Sequence, residues 1–267
     1  MKRLEERYGI GFQIFHSQFQ MIFLSRAALY AIIIWPALHP QNAFSVYLSL
    51  AILDKRGTAV KEFCKSILGG ACIAFGGTVY LSVDNHIVGA FLFSVGLLSI
   101  FLFDLNLFTG KVCDLPHQPL SYWAKAGFVF AGNLVGAIGI GLLERYTKLS
   151  RLIPTAQAIA EGKLADNLFS AFVMGIFCGF MICIAVIGYR RLPGSGKYLA
   201  VIFGVMVFTL SGFEHVVANL YYYSIAGTWQ LKSVLNILVV GLGNLVGGAA
   251  IPFLLRLCGQ KDNTEQA

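Results

Sequence analysis

The chain has 267 residues and a formal net charge of +7, with 57% hydrophobic residues and only 12% charged residues. A soluble domain carries roughly twice that charged fraction. The composition therefore indicates an integral membrane protein that lies in a lipid bilayer. The 20 Lys and Arg residues are scattered between apolar stretches. This argues against a nucleic-acid partner, which requires a clustered basic surface.

Residues 1–54 are predicted to form an amphipathic or interfacial extension before the main membrane domain. Residues 27–53 are uncharged, but Pro36 and Pro40 interrupt helical hydrogen bonding within them. A full crossing there would put the basic N-terminus outside the cell, against the positive-inside rule. The alternative, in which residues 19–53 form an extra membrane segment, stays open.

Residues 55–258 form the predicted membrane domain, and residues 259–267 form a short tail after it. Six stretches of this domain are long and apolar enough to cross a hydrocarbon core, which needs about 20 helical residues. In chain order they are residues 66–83, 85–103, 126–143, 167–189, 198–231 and 233–255. The fifth stretch carries Glu214 and His215 in its middle. The sequence therefore predicts an all-α membrane fold with six transmembrane helices.

The distribution of basic residues predicts the orientation of these helices. Six crossings place both termini on one side, and loops on the cytoplasmic side carry an excess of Lys and Arg. Only five of the 20 basic residues fall on the side away from the termini, namely Arg145, Lys148, Arg151, Lys163 and Lys232. Both termini and the C-terminal tail are therefore predicted in the cytoplasm, with the chain in the inner (cytoplasmic) membrane.

An internal repeat links the third and sixth predicted helices. The pentapeptide Gly-Asn-Leu-Val-Gly occurs at residues 132–136 and again at residues 243–247. Glycines four residues apart let helices approach closely, but this packing explanation leaves the identical Asn-Leu-Val unexplained. A unit of three helices must lie in opposite orientations when it is duplicated. We therefore predict two inverted three-helix repeats.

Polar residues interrupt the second and fifth predicted helices at related positions. Residues 104–110 interrupt the second helix, and residues 211–219 interrupt the fifth. If the pentapeptides set the alignment and no gaps intervene, Asp104 lies opposite His215 and Phe108 lies opposite Asn219. Irregular backbone inside a membrane requires protein or a water-filled cavity to satisfy its polar groups. Paired broken helices therefore predict a central permeation site.

His215 is the one histidine deep within an apolar stretch. An ionisable residue inside the membrane favours a functional role, although a histidine that only bridges two helices stays an alternative. For the adjacent Glu214 we favour a structural role, in which backbone N–H groups freed by the broken helix bind its carboxylate. Burial disfavours a charged imidazole, whereas a nearby carboxylate or a passing anion favours it.

Other residues near the two interruptions are candidates for lining a pore. Thr109 and Asn219 are short polar residues that either cap broken helix ends or hydrogen-bond a permeating ion, and both roles stay open. Lys163 lies before the fourth predicted helix, where a solvated loop charge is the ordinary interpretation. Five apolar residues flank the interruptions where they could narrow a lumen: Phe93, Leu97, Leu107, Phe108 and Phe208.

The sequence gives little support for catalysis or for a bound cofactor. It contains no HExxH, GxSxG or GxxxxGK[ST] pattern, and no second buried histidine accompanies His215. The six cysteines lie in or beside apolar stretches without metal-ligand spacing, and we interpret them as reduced packing residues. We therefore expect neither an enzyme nor a cofactor nor a metal.

These motifs together resemble the formate/nitrite transporter family. The resemblance rests on residues 106–112, on the two Gly-Asn-Leu-Val-Gly repeats and on the run Ser-Gly-Phe-Glu-His-Val-Val-Ala-Asn at residues 211–219. It covers about residues 55–258. Members of this family resemble aquaporins in architecture and form pentamers with one pore per subunit. The resemblance therefore implies a homopentamer that passes small anions.

The resemblance also implies roles for individual residues. His215 matches the central pore histidine, Thr109 the threonine of the loop that breaks the second helix, and Lys163 the vestibule lysine. Glu214 and Asn219 complete the motif around that histidine. The outer constriction is matched by Phe93 and Phe208, and the inner constriction by Leu97, Leu107 and Phe108. Lys163 is then expected to concentrate the anion by Coulomb attraction, and His215 to handle a proton.

The stretch from Leu107 to Val112 looks most like the hydrosulfide branch of the family. The expected function is a channel for small monovalent weak-acid anions, with hydrosulfide first and formate or nitrite as further substrates. A proton-coupled formate/nitrite symporter is the alternative. A channel follows the electrochemical gradient of the anion alone, whereas a symporter moves the anion uphill when a pH gradient is imposed.

Overall fold

The structure is a computed structural model that describes residues 40–259, with side chains described from Gly57 onward. Residues 1–39, on which most of the predicted N-terminal extension falls, lie outside the described residues, as do residues 260–267 of the predicted tail. The features below belong to the compact unit that begins at Lys61. The domain boundaries at residues 54 and 258 stay predictions.

All regular secondary structure in the described residues is helical, with no β-strand among them, which confirms the predicted all-α fold. The helices are α1 (Pro40–Leu81), α2 (His86–Leu102), α3 (Phe108–Val112), α4 (Ser121–Glu144), α5 (Ile153–Ala165), α6 (Leu168–Arg191), α7 (Gly196–Leu210), α8 (Val216–Ala226) and α9 (Leu231–Leu257). Short 3-10 helices lie at Leu115–His117 and Lys148–Leu152. Helix α5 lies between two predicted crossings, in a region for which the sequence predicts no helix.

The lengths of the apolar helices fit a multi-pass membrane protein. Four stretches in the described residues are long and apolar enough to cross a bilayer: Gly57–Leu81 of α1 and the whole of α4, α6 and α9. Helices α2 and α7 are also apolar but have only 17 and 15 residues. Each of them is followed by an interruption and a second helix. The count of six crossings and the opposite orientation of the two halves stay predictions.

The two interruptions have the same backbone geometry. Helix α2 is followed by Asp104 in the left-handed region at φ 49°, and helix α7 is followed by Gly212 at φ 68°. In both cases the next residue donates its N–H to a carbonyl in the last helical turn, at 2.9 Å for Leu105 and at 2.9 Å for Phe213. These are left-handed helix ends, which pair the carbonyls that a terminating helix leaves free.

One asparagine of the repeated pentapeptide fastens the chain after the first interruption. The Asn133 side chain, on α4, accepts the Phe108 N–H at 2.8 Å with its oxygen. Its amide group donates to the carbonyls of Asn106 at 2.9 Å and Ser66 at 2.7 Å. Asn133 is fully buried, so its bonds to Phe108 and Asn106 pair backbone groups that would otherwise be unsatisfied in an apolar environment, and its bond to the Ser66 carbonyl anchors it to α1.

Asn244, on α9, makes the same three bonds at the second interruption. Its oxygen accepts the Val216 N–H at 2.9 Å. Its amide group donates to the carbonyls of Glu214 at 2.7 Å and Gly175 at 2.8 Å. The identical asparagine of the repeated pentapeptide therefore has one structural function, performed twice. We call Asn133 and Asn244 the asparagine clamps.

The clamps also correct the predicted alignment of the two halves. Phe108 and Val216 occupy the same position relative to the clamps, as do Asn106 and Glu214. The prediction that Asp104 matches His215 and Phe108 matches Asn219 is therefore wrong. The reason is an unequal spacing, because the bonded N–H lies 25 positions before its clamp in the first half and 28 positions before it in the second.

The glycines of the repeat serve the close packing that their spacing predicted. A Cβ on Gly136 would collide with the Ile67 carbonyl oxygen of α1, and one on Gly247 would collide with the Ile176 carbonyl oxygen of α6. Helix α4 therefore lies against α1, and α9 lies against α6, with backbones in contact. This close approach brings each clamp within reach of the carbonyls on the neighbouring helix.

We predict that Asn244→Leu and Asn133→Leu destabilise the folded protein by similar amounts, about 3 kcal/mol each, because each leaves one N–H and one carbonyl of an interruption buried and unpaired. The measurement is the melting temperature of the purified protein in detergent. Asn167→Leu is the control, since it removes only the exposed Asn167 cap on the Ser170 N–H and should cost about 1 kcal/mol. Equal melting temperatures for all three variants would contradict the role of the clamps.

Candidate permeation pathway

His215 lies at the second interruption, as the residue that caps the N-terminus of α8. Its side chain accepts the Ala218 N–H through Nδ1 at 3.2 Å, and the residue is only 1% exposed. Because Nδ1 is an acceptor in this bond, the hydrogen of the neutral ring is on Nε2. Adding a proton at Nδ1 would break the bond to Ala218.

The other ring nitrogen of His215 contacts the opposite half of the chain. Its Nε2 lies 3.1 Å from the Thr109 hydroxyl oxygen on α3, and Thr109 is fully buried. With the hydrogen on Nε2, the ring donates and Thr109 accepts. The hydroxyl hydrogen of Thr109 then stays available to a further acceptor. The two interruptions therefore meet at one hydrogen bond between two of the predicted site residues.

A cavity of about 130 Å³ lies on one side of this bond and contacts Lys163, so we call it the Lys163 cavity. The Phe208 ring stacks on the His215 ring with centroids 5.7 Å apart. The Phe93 ring meets the Phe208 ring edge-on at 5.9 Å. The two predicted outer constriction residues therefore contact each other beside the histidine. The cavity is also lined by Tyr80, Ile159, Thr209, Gly212, Phe213, Ala218 and Tyr222.

Lys163 lies in the last turn of α5, beside this cavity, and is not a solvated loop residue. Its ammonium nitrogen is 2.8 Å from a Glu214 carboxylate oxygen, and the two side chains are only 14% and 10% exposed. The Tyr222 ring lies beneath the ammonium, with the nitrogen 5.9 Å from its centroid. The positive charge of Lys163 is therefore balanced by a direct partner.

The surroundings of Glu214 differ from those we predicted. The same carboxylate oxygen that binds Lys163 also accepts a bond from the Asn219 amide at 2.5 Å. Its hydrogen-bond donors are thus two side chains, and the prediction of backbone N–H donors is wrong. Through these two bonds Glu214 connects Lys163 of α5 to Asn219 of α8, and its structural role stays a prediction.

Asn219 is fully buried and does not line either cavity. Its amide binds Glu214 and also the Asn236 side-chain oxygen at 3.1 Å, and Tyr223 donates to that same oxygen at 2.8 Å. Asn219 therefore joins α8 to α9 and positions Glu214. Asn236 is a residue that sequence reasoning missed, although a polar residue in an uncharged stretch was the available signal.

A second cavity, of about 240 Å³, lies on the other side of the interruptions and contacts Lys111, so we call it the Lys111 cavity. The predicted inner constriction residues Leu97 and Leu107 line it, and both are buried. The Asp104 side chain on its rim is 92% exposed, so the cavity opens to solution. The remaining lining residues are Ile100, Phe101, Leu105, Gly110, Val186, Tyr189 and Arg190.

Phe108 does not accompany the other predicted constriction residues. Its ring packs on the Phe130 ring of α4 with centroids 5.0 Å apart, and it lines neither of the two cavities. The reason is the clamp: binding of the Phe108 N–H to Asn133 turns this residue toward α4. We therefore leave Phe108 out of the proposed constriction.

The two cavities approach each other along α2. Phe93 lines the Lys163 cavity and Leu97 lines the Lys111 cavity, four residues further along the same helix. Four residues of an α-helix span about 6 Å. His215 lines the Lys163 cavity and Leu107 lines the Lys111 cavity, whereas Thr109 lines neither of the two and reaches this region through its hydrogen bond to His215. Among residues 57–259 no cluster of His, Cys, Asp or Glu could hold a metal ion there or elsewhere.

Comparison with known families gives a match over most of the chain. The sequence model described as formate/nitrite transporter matches residues 50–258. The formate channel FocA of Haemophilus influenzae is 27% identical over 262 residues, which cover 80% of this chain and 91% of that protein. The formate channel BtFdhC of Bacillus thuringiensis is 29% identical over 253 residues, which cover 84% and 97%.

Solved structures with the same fold are also found. A chain described as an FNT family ion channel superposes with a TM-score of 0.66 at 23% identity, and covers 79% of this chain and 93% of that one. A pentameric formate channel with formate bound has a TM-score of 0.64 at 24% identity, with 76% and 98% covered. Both likenesses support the fold described above.

We predict that Lys163→Met destabilises the protein by about 3 kcal/mol, because it leaves the nearly buried Glu214 carboxylate without its cation. The double variant Lys163→Met/Glu214→Gln should recover most of this loss, since no unpaired charge then remains. Melting temperatures in detergent measure both, and Lys232→Met is the control at an exposed lysine. A double variant no more stable than the single one would contradict the pairing.

Proposed function

Because the chain belongs to the formate/nitrite transporter family, we propose that it is a membrane channel for small monovalent weak-acid anions, and that His215 is its central pore residue. The observation that carries this proposal is the hydrogen bond between His215 and Thr109. It joins two interrupted helices between two cavities, where a permeating anion would have to pass. Homologues that are named channels and transporters support a non-enzymatic role.

The proposed pathway has an apolar narrowing on each side of His215. Phe93 and Phe208 form the narrowing toward the Lys163 cavity, and Leu97 and Leu107 form the one toward the Lys111 cavity. Moving a bare anion past such side chains costs many kcal/mol, because they replace its water without supplying hydrogen bonds. Hydrogen-bond donors placed between the narrowings offset part of this cost, and they offset more of it for the anion of a weak acid, because such an anion is a stronger base than chloride and accepts stronger hydrogen bonds.

His215 and Thr109 supply the polar groups between these narrowings. A small anion that separates the two side chains receives the Nε2 hydrogen of His215 and the hydroxyl hydrogen of Thr109. The ring can do this while Nδ1 stays bound to the Ala218 N–H. A full proton cycle on His215 would instead require that bond to break. The geometry therefore favours the channel over the proton-coupled symporter.

Lys163 has a different role from the one its charge alone suggested. Since Glu214 balances its charge, the pair has little long-range attraction for anions. We propose that Lys163 acts at short range, by donating a hydrogen bond to an anion already in its cavity. Glu214 and Asn219 hold the ammonium in position for this contact.

Two observations bear on which anion passes. The named relatives include formate channels, which supports formate. The residues from Leu107 to Val112 favour hydrosulfide, and nitrite is a third candidate with similar size and charge.

By analogy with the pentameric neighbour we propose a homopentamer, with both termini in the cytoplasm and the chain in the inner membrane.

The test is flux into liposomes that contain the purified protein. We expect hydrosulfide, formate and nitrite to pass, and chloride to pass much more slowly, because chloride is a far weaker base and accepts weaker hydrogen bonds from His215 and Thr109. An imposed pH gradient should not drive uphill accumulation of the anion beyond its own equilibrium. Equal rates for chloride and the weak acids would contradict the proposed pathway, and uphill accumulation would favour the symporter.

The same assay tests the two site residues. We expect His215→Ala and Thr109→Val to reduce weak-acid flux by about tenfold or more, since each removes a polar group from the narrowest region. Thr228→Val is the matched control, because the Thr228 hydroxyl is buried without a partner in the described residues and so makes no hydrogen bond to His215. Unchanged flux in Thr109→Val would show that the anion does not use this contact.

A further inference from the structure

Lys111 lines the cavity that bears its name and has no role in the function proposed above. It lies on the short helix α3, two residues after Thr109, and is partly buried. The cavity opens to solution past the exposed side chain of Asp104. An anion that approaches His215 from this side therefore passes Lys111 first.

The carboxylates closest to Lys111 along the chain are each engaged by another cation. Asp104 forms an ion pair with Lys65 of α1 at 2.5 Å. Asp114 accepts two bonds from the Arg190 guanidinium, at 2.5 and 3.2 Å. Asp104 and Arg190 both line the Lys111 cavity, but their charges are compensated by these partners.

Lys111 itself has no such partner among the described residues. Within residues 57–259, no hydrogen bond, ion pair or aromatic ring contact involves its ammonium group. This is the opposite of Lys163, whose ammonium lies 2.8 Å from Glu214. In this part of the chain, the Lys111 cavity therefore carries one positive charge that no direct contact compensates.

The walls of the cavity strengthen the attraction of this charge for anions. Leu97, Ile100, Leu107 and Val186 provide an apolar lining on the side toward the narrow region. Low-dielectric walls around a single charge focus its field and raise the local concentration of counter-ions. The ammonium has three hydrogens to donate, and no acceptor within residues 57–259 competes for them.

We propose that Lys111 is a second anion-binding residue of the pathway, which collects small monovalent anions at the mouth opposite Lys163. This inference rests on the proposed channel function and assigns the residue that binds the anion on one face. In the predicted topology that face is cytoplasmic. The two cavities then differ in their electrostatics. The charge of Lys163 is compensated by Glu214, whereas no direct contact within residues 57–259 compensates the charge of Lys111.

The test measures the concentration of formate, and separately of hydrosulfide, that gives half-maximal flux from each face. Liposomes are sorted for a single orientation of the protein through a C-terminal affinity tag. For Lys111→Gln we expect this concentration to rise about tenfold on the Lys111 face and to stay unchanged on the other face. Lys111→Arg should retain the wild-type value, and Lys61→Gln is the control for loss of an exposed lysine.

A second variant tests the inference in the opposite direction. Asp104→Asn removes a negative charge from the cavity rim and frees Lys65, so the half-maximal concentration on the Lys111 face should fall severalfold. Asparagine tolerates the left-handed backbone of this position, so the fold should be kept. This variant remains informative if Lys111→Gln fails to fold.

The outcomes separate the inference from the function on which it rests. Wild-type values for Lys111→Gln on both faces would overturn the inference and leave the channel intact. Equal changes on both faces that Lys111→Arg does not rescue would indicate a packing role and would also overturn it. A wild-type protein that passes no weak-acid anion would overturn the proposed function itself.

Discussion

The proposed pathway depends on how two interrupted helices are held inside a membrane. Each interruption leaves backbone N–H and carbonyl groups without helical partners, and an apolar environment cannot satisfy them. Asn133 and Asn244 resolve this with three bonds each, made to the chain after the interruption and to a neighbouring helix. Because both clamps fix their segments in the same way, Thr109 and His215 meet at hydrogen-bond distance.

The clamps impose the same backbone on both halves, and the side chains then make the halves different. When Phe108 is aligned with Val216, Leu107 occupies the position of His215, and Asp104 occupies that of Gly212. One half thus contributes an apolar side chain to the narrow region, and the other contributes an imidazole. The lysines of the two cavities differ as well. Lys163 has a direct acidic partner, and Lys111 has none within residues 57–259. In the proposed pathway, two equivalent clamp arrangements therefore carry different side chains.

Much of this arrangement could be predicted from the sequence, because the repeated pentapeptide and the polar interruptions are local patterns. The alignment between the halves could not be predicted. The segment from the interruption to the clamp is longer in the second half, and one matching pentapeptide does not reveal this difference in length. The partners of Glu214 depended on α5, which lies outside the predicted crossings, and on Asn219 one turn further along α8. The sequence placed Phe108 in the inner constriction, but its ring packs on Phe130 of α4. Its backbone N–H is bound to Asn133 of the same helix, a contact that the sequence did not reveal.

The central claim is that a weak-acid anion binds where His215 and Thr109 meet. The most direct measurement is a crystal structure of the protein soaked with hydroselenide, whose selenium atom is located by anomalous scattering. The account predicts a peak within hydrogen-bond distance of His215 Nε2, between the two narrowings. Selenium found only outside the two cavities, in a protein that passes the same anion in liposomes, would contradict it.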